Sequence, residues 1–360
     1  MQDRPMSRWL SPLMAFCLSF MLITTLAPVV GIQLDRQLDF WLLWLVMMVV
    51  LALPFAYMEV ALVKRAKTTA LQALMALTRE ADASAYWRIA GWLAVVFMPF
   101  LAGALIANAS HSLTHYVQLP VAENIVFVIL AVVAVAASFL PRLILVGMSA
   151  VMLLVSLVLS HIFPLNLTAW HITAIHFSEW GYAVVLALVA TGLGLGVYAQ
   201  TSLVQIKDTE QATPNALPVW VAQVLAVVLF GFFAVQAELP AITILVSAVA
   251  VAAGFIQLAR EQLQQRQIAM VVQWAIVLIA ILTWACLAIV PVLNTVLMLW
   301  GLLICLIYAF FAGWIMKISH LRKSLNFSQE VTYNLWRISV RIVAPLAIVL
   351  AMVAIVLGAV

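Results

Sequence analysis

Polar residues fall along this chain in short clusters, separated by long apolar runs. Eleven such runs can be delimited, at roughly 11–33, 39–62, 88–117, 122–140, 142–163, 177–203, 215–236, 239–260, 267–290, 293–316 and 334–358. About 20 apolar residues wound as a helix match a hydrocarbon core of about 30 Å. Inside that core only helices or closed barrels satisfy their own backbone. The pattern predicts an all-α, polytopic membrane protein with about 11 transmembrane helices.

The polar clusters carry a strong bias. With the N-terminus placed inside, Arg4, Arg8, Lys64, Arg65, Lys67, Arg79, Arg88, Arg142, Lys207, Arg260, Arg266, Lys317, Arg322, Lys323, Arg337 and Arg341 all lie inside or at inner helix ends. Of the 17 Lys and Arg residues, only Arg36 lies outside. The positive-inside rule then predicts a cytoplasmic N-terminus and an external Val360. A composition of 67% hydrophobic and 8% charged residues, with a mean hydropathy of +1.18, excludes a soluble globular domain. The net charge of +4 points to a lipid bilayer with anionic headgroups as partner, not to nucleic acid. The first run has a basic flank but no evident small-residue cleavage site, so it reads as a retained span. Short, plain loops favour a bacterial inner membrane.

Smaller features follow the same frame. Leu71, Leu74, Met75 and Leu77, spaced among charges between Lys64 and Arg88, predict an amphipathic helix lying on the inner surface. Trp41, Trp44, Trp170, Trp180, Trp220 and Trp336 fall near span ends and read as interface anchors. Asn108-Ala-Ser110 and Asn166-Leu-Thr168 match the glycosylation acceptor pattern on the outer side. Cys17, Cys286 and Cys305 all lie within predicted spans, so no disulfide framework is suggested.

The span count divides one transmembrane domain, 1–360, into a first repeat at about 11–163, a second at about 177–316, and an extra helix at about 334–358. Five spans are odd, so the second repeat enters the membrane inverted, as in secondary transporters. The first span of each repeat carries a breaker. In one it is Thr24-Thr25-Leu26-Ala27-Pro28, where proline removes a backbone donor. In the other it is Thr191-Gly192-Leu193-Gly194-Leu195-Gly196, with each glycine disfavouring helix by about 1 kcal/mol relative to alanine. Interrupted helices at matching positions point to a substrate and ion site. The alternative is that the glycines serve close helix packing.

Three segments resemble the neurotransmitter:sodium symporter family, whose members have the LeuT-like five-plus-five inverted-repeat fold with broken first and sixth helices. Leu53-Pro54-Phe55-Ala56-Tyr57-Met58-Glu59 is similar to the family's second span, a proline followed five residues on by glutamate. Leu193-Gly194-Leu195-Gly196 with Tyr198 resembles its broken sixth span. Ser247 and the helix running to Arg260-Glu261-Gln262-Leu263 resemble its eighth span. The chain is a divergent, shortened relative by this reading. Thr24, Thr25 and Pro28 stand where the family has a Gly- and Asn-rich break, and Ile106 falls near the position of a substrate-binding tyrosine. The resemblance implies that Glu59 holds a broken helix by accepting backbone N–H bonds. The residues alone equally allow Glu59 to snorkel beside Lys64 and Arg65.

The resulting candidate site has Thr24, Thr25, Ile106, Gly192, Gly194, Leu195 and Gly196 around the solute. Thr24 and Ser247 supply hydroxyls to sodium, and Glu59 and Pro28 shape or gate the helices. Ser247 has an alternative reading as a small residue for helix packing. A half-helix N-terminus after Gly196 would anchor an anionic group. Without a basic partner in the core, a small neutral or zwitterionic solute such as an amino acid fits best. No cofactor motif is present. His111 and His115, four apart, could share a metal, against a plainer reading as interface residues. The leading expectation is sodium-coupled symport by alternating access. The alternatives are a transporter-like protein that has lost coupling and acts as a sensor or assembly subunit, and an integral-membrane enzyme, for which only the outer histidines offer polar groups.

Overall fold

The expected apolar runs are helices in the structure, a computed structural model that describes residues 8–31, 36–117, 121–162, 169–235, 239–286 and 289–358. Arg4, Asp35, Asn166-Leu-Thr168 and Glu238 lie outside the described residues, as do the side chains of His115 and His161. In chain order the helices are α1 (Leu10–Leu26), α2 (Leu38–Ala66), α3 (Ala70–Glu80), α4 (Ile89–Val117), α5 (Glu123–Ala137), α6 (Arg142–Ile162), α7 (Phe177–Leu188), α8 (Val197–Thr201), α9 (Leu203–Asp208), α10 (Thr213–Ala234), α11 (Ala241–Gln265), α12 (Met270–Leu282), α13 (Val290–Ile315), α14 (Ile318–Leu325) and α15 (Glu330–Gly358). Seven helices among the described residues are long and apolar enough to cross a membrane, and shorter apolar helices stand at the remaining four expected positions.

Their packing shows the repeat. α1 lies along α10, and α7 lies along α2. α4 packs against α12 and α13, while α11 packs against α5 and α6. Exchanging each span for its counterpart five places on converts every one of these pairings into another. The pairing of α4 with α11, third span with eighth, is its own image. α15 completes the bundle against α7, where Gly181 leaves room for Ala354; a Cβ on Gly181 would sit 2.8 Å from that of Ala354.

Two helices are bent by proline in the same way. Pro54 in α2 follows a wide π-type turn at Met48–Ala52, and Pro345 in α15 follows one at Ser339–Val343. The ring clashes with the preceding turn and removes a donor, and the wide turn relieves the clash. Carbonyls loosened in this way need donors inside a bilayer. Trp220 Nε1 donates to the Met48 carbonyl at 2.8 Å, and Trp314 Nε1 to that of Arg341 at 3.0 Å. Trp336 Nε1 donates to the Pro54 carbonyl at 3.0 Å. Trp336 is therefore a buried partner of a bent helix, not the interface anchor its position suggests. Trp41 and Trp44 are also buried, with ring centroids 5.2 Å apart.

α3 corrects a second expectation. Its apolar face does not lie on a membrane surface: Leu71, Leu74 and Leu77 are buried against the protein. Gly91 of α4 allows the approach, since a Cβ there would meet the Leu71 Cα at 3.1 Å. The far end of α3 is fastened by Glu80, which pairs with Arg65 and, at 2.8 Å, with His320. These contacts gather Lys64, Arg65, Glu80 and His320 on one side, together with a bond from Lys64 to the Glu210 carbonyl. This side is the basic face.

Two predictions follow from this packing. Gly231 in α10 faces Trp41 so closely that a Cβ would fall 1.7 Å from the ring. Gly231→Ala should lower stability by about 1–3 kcal/mol through overpacking, and adding Trp41→Leu should recover part of the loss. Thermal unfolding in detergent checks this; an unchanged melting temperature for Gly231→Ala would refute the contact. The second concerns Glu80, whose carboxyl is held below its ordinary value of 4.5 by its hydrogen bond from Arg65, aided by His320 and Lys317. A depressed carboxylate contributes stability that is present above its unfolded value and lost as pH falls through its lowered one. The melting temperature should therefore fall as pH drops below 4.5, and the fall should be shallower in Glu80→Gln. The difference should be small, because the pair is partly exposed.

Candidate functional site

α7 stops at Leu188, and the chain leaves the helical path until Val197 opens α8. The alternating glycines cause this. Gly192, Gly194 and Gly196 have φ of +66°, +86° and +68°, a left-handed conformation that L side chains resist. Space is equally restrictive. A Cβ would fall 2.9 Å from a Leu18 methyl at Gly192, 3.0 Å from Cys305 Sγ at Gly194, and 2.7 Å from the Ala70 Cβ at Gly196.

The whole segment from Val189 to Thr201 is buried, so its freed backbone groups need partners within the protein. Gly194 N–H and Gly196 N–H both donate to Glu59 Oε1, at 2.5 and 3.1 Å. The Thr191 carbonyl accepts from the Tyr198 hydroxyl at 2.5 Å and from Gln223 Nε2 at 3.1 Å. The Leu193 carbonyl accepts from Cys305 Sγ at 3.4 Å. Of the two readings of Glu59, the geometry is the one in which it holds the sixth span. Its carboxylate lies in a cup of N–H groups at the positive end of α8, where an anion is favoured. The half-helix terminus expected to anchor an anionic solute is thus already filled from within.

The first span behaves differently. α1 is continuous through Thr24 and Thr25, whose hydroxyls both donate to the Met21 carbonyl, at 2.8 and 2.9 Å. The helix ends at Leu26, and Ala27–Gly31 form a turn closed by Gly31 at φ +78°. The interruption therefore lies at the end of this helix, not near its middle. A single proline disrupts the turn before it, and here that turn is already the last one; three left-handed glycines in the middle of a span leave no such option.

Around this turn opens a cavity of ≈ 500 Å³, bordered by Thr25, Pro28, Asn108, His111, Trp284 and Asn294. Glu123 also faces it and meets His111 Nδ1 at 3.3 Å. Asn108 lies within α4 and lines the cavity, so it is no loop acceptor for a glycan. Ile106 is buried one residue from the cavity-lining Ala107. Thr25 and Pro28 thus meet at the cavity, while Gly194 and Gly196 gather at Glu59; Gly192 faces Leu18 and Tyr198, and Leu195 is buried. Ser247 is buried, and its hydroxyl donates to the Ser149 carbonyl of α6 at 3.4 Å. Thr24 and Ser247 are engaged on different elements. Of the outer histidines, His176 caps α7 with Glu179, and His171 pairs through its backbone with Arg36 and Leu38. Among the described residues no three His, Cys, Asp or Glu side chains converge on a metal position.

Beneath the break, toward the basic face, lies a polar network that the sequence reading did not find. Glu261 Oε2 accepts from Arg142 at 2.5 Å and from Gln200 Nε2 at 2.8 Å. Gln262 donates to Gln200 Oε1 at 2.9 Å and accepts from the Leu71 N–H at 3.1 Å. Arg142 also reaches Thr201 Oγ1 at 3.3 Å. α3, α6, α8 and α11 are joined by these bonds. Gln223 was also missed. Its signal was available, because an amide in the middle of an apolar span is costly unless it is bonded.

Compared by sequence, the chain matches no family model and no curated protein. Compared by structure, it resembles MhsT, a LeuT-fold transporter of the symporter family, solved in complex with L-phenylalanine. The likeness covers 98% of this chain and 100% of MhsT, with a TM-score of 0.64 and 15% sequence identity. The fold is LeuT-like. At that identity the likeness speaks for the fold alone.

Glu59 provides the test of the site. Glu59→Ala would leave two buried N–H groups unpaired and should lower stability by roughly 2–6 kcal/mol, each orphaned group costing about 1–3. Glu59→Gln keeps a carbonyl acceptor and should lose less than half of that. Unfolding in detergent measures both; equal, negligible losses would remove Glu59 from its role in the break.

Proposed function

We propose that this chain is a secondary-active transporter that moves a small neutral or zwitterionic solute by alternating access, coupled to sodium, in a bacterial inner membrane with its N-terminus in the cytoplasm. The observation that carries the reading is an asymmetry about the interrupted helix. A cavity of ≈ 500 Å³ reaches Thr25 and Pro28 from one face, while the Arg142–Glu261–Gln200–Gln262 network seals the other. An interrupted helix lies between them. Alternation needs such an asymmetry, which reverses during transport. The LeuT-like fold supports the same reading, as does the ligand of MhsT, an amino acid.

The site favours the uncharged end of the solute class. Glu59 already occupies the N–H groups of Gly194 and Gly196. α1 stays helical to Leu26 and offers few free donors. A solute carboxylate would find no strong anchor, whereas the amides of Asn108 and Asn294 suit neutral polar groups.

A second reading, a transporter-like protein without ion coupling that acts as a sensor or assembly subunit, is favoured by one observation. The hydroxyls of Thr24 and Ser247 are each bonded to a backbone carbonyl, of Met21 and Ser149 respectively. Proteoliposomes loaded with potassium and diluted into sodium separate the two. Symport predicts several-fold accumulation of one member of a panel of neutral and zwitterionic solutes, L-phenylalanine among them, and its collapse when external sodium is replaced by choline. Solute binding that is indifferent to sodium, without accumulation, would establish the second reading. Neither binding nor uptake across a panel of neutral and zwitterionic solutes would overturn the transport reading.

A further inference from the structure

Arg260, the basic residue within α11, differs from Arg142 and Arg266 in what surrounds it. Its neighbour Glu261 turns inward to Arg142 and Gln200 and cannot neutralise it. Arg260 turns the opposite way, into the notch between the end of α5 and the start of α12. There its guanidinium is stacked over Phe139, 4.8 Å from the ring centroid, and over Trp274, at 4.2 Å. Two aromatic faces fix the plane of the group and remove much of its freedom. Yet among the described residues none of its N–H groups has a protein acceptor, and Nε is enclosed without a partner. One turn back on the same face, Gln257 has a buried Oε1 without a partner, while its Nε2 reaches only the Leu140 carbonyl at 3.5 Å.

The notch is on the perimeter of the bundle. Phe139 in the notch and Val271, one turn before Trp274 on α12, are 64% and 81% exposed, so hydrocarbon chains cover them in a bilayer. It also lies on the basic side, where Arg142 and Arg266 mark the adjoining helix ends. A rigid, uncompensated cation with apolar walls below it matches one kind of molecule: a phosphate joined to acyl chains. We infer that Arg260, clamped by Phe139 and Trp274, is a binding site for the phosphate headgroup of an anionic phospholipid, with the acyl chains lying on Phe139 and Val271. A zwitterionic lipid fits less well, because its own cation would meet the guanidinium. A free anion fits less well because nothing in it would use the apolar walls.

The test uses the purified full-length protein, stripped of lipid in neutral detergent and titrated with dioleoyl-phosphatidylglycerol, dioleoyl-phosphatidylcholine or inorganic phosphate. Native mass spectrometry counts bound lipid, and thermal shift follows phosphate. Phosphatidylglycerol should bind more tightly than phosphatidylcholine, and Arg260→Gln should weaken phosphatidylglycerol alone by about tenfold, the scale of a lost charge-assisted hydrogen bond. Trp274→Leu, which keeps the charge but opens the clamp, should weaken it by less. It also serves as the second variant if Arg260→Gln does not fold. Equal binding of the two lipids, phosphatidylglycerol binding unaffected by the variants, or inorganic phosphate that stabilises the protein as well as the lipid does would each overturn the assignment. No part of the test depends on transport, so the site can stand or fall separately.

Discussion

A stretch of buried chain that is not helical must find a partner for each N–H and carbonyl it releases, and the break between α7 and α8 imposes that requirement at the centre of this bundle. The partners are drawn from the whole fold: Glu59 from α2, Tyr198 from α8, Gln223 from α10 and Cys305 from α13. A carboxylate buried without donors is as unfavourable as donors buried without an acceptor. Glu59 and the two glycine N–H groups therefore make each other tolerable. The inverted repeat brings α2 beside α7, and that adjacency is what puts the acid within reach of the break.

The same requirement, in milder form, explains the bent helices. Pro54 and Pro345 each loosen a turn, and indole N–H groups reach the carbonyls around it. Tryptophan suits this task because its body satisfies the apolar surroundings and its one donor satisfies the carbonyl. The two repeats thus share their packing while differing in chemistry. The second carries an interruption whose freed groups draw partners from several helices, and the first keeps its opening helix intact to Leu26.

Span number, most span limits and the second break were legible in the sequence, because apolar run length and three alternating left-handed glycines are local signals; the first and ninth runs end early as helices, at Leu26 and Leu282. The position of the first interruption was not. Pro28 acts on the turn before it, and whether that turn is mid-helix or terminal depends on where neighbouring elements let the helix end. The tryptophans misled for a related reason. A residue near a span end can face headgroups or a neighbouring helix, and only tertiary packing decides, as for Trp44 and Trp336. Periodicity gave α3 one apolar face but could not say that protein, not lipid, covers it. The network of Arg142, Gln200, Glu261 and Gln262, with the Leu71 N–H, includes bonds between residues up to 191 positions apart in the chain, and no spacing rule announces it.

The contact between Ala70 and Gly196 ties α8 to α3. With the two so close that not even a methyl group would fit between them, α8 cannot tilt toward that side while α3 remains docked. A shift of α8 toward that side would therefore require α3 to shift as well. The fold works in this respect like a drawer behind a wedge.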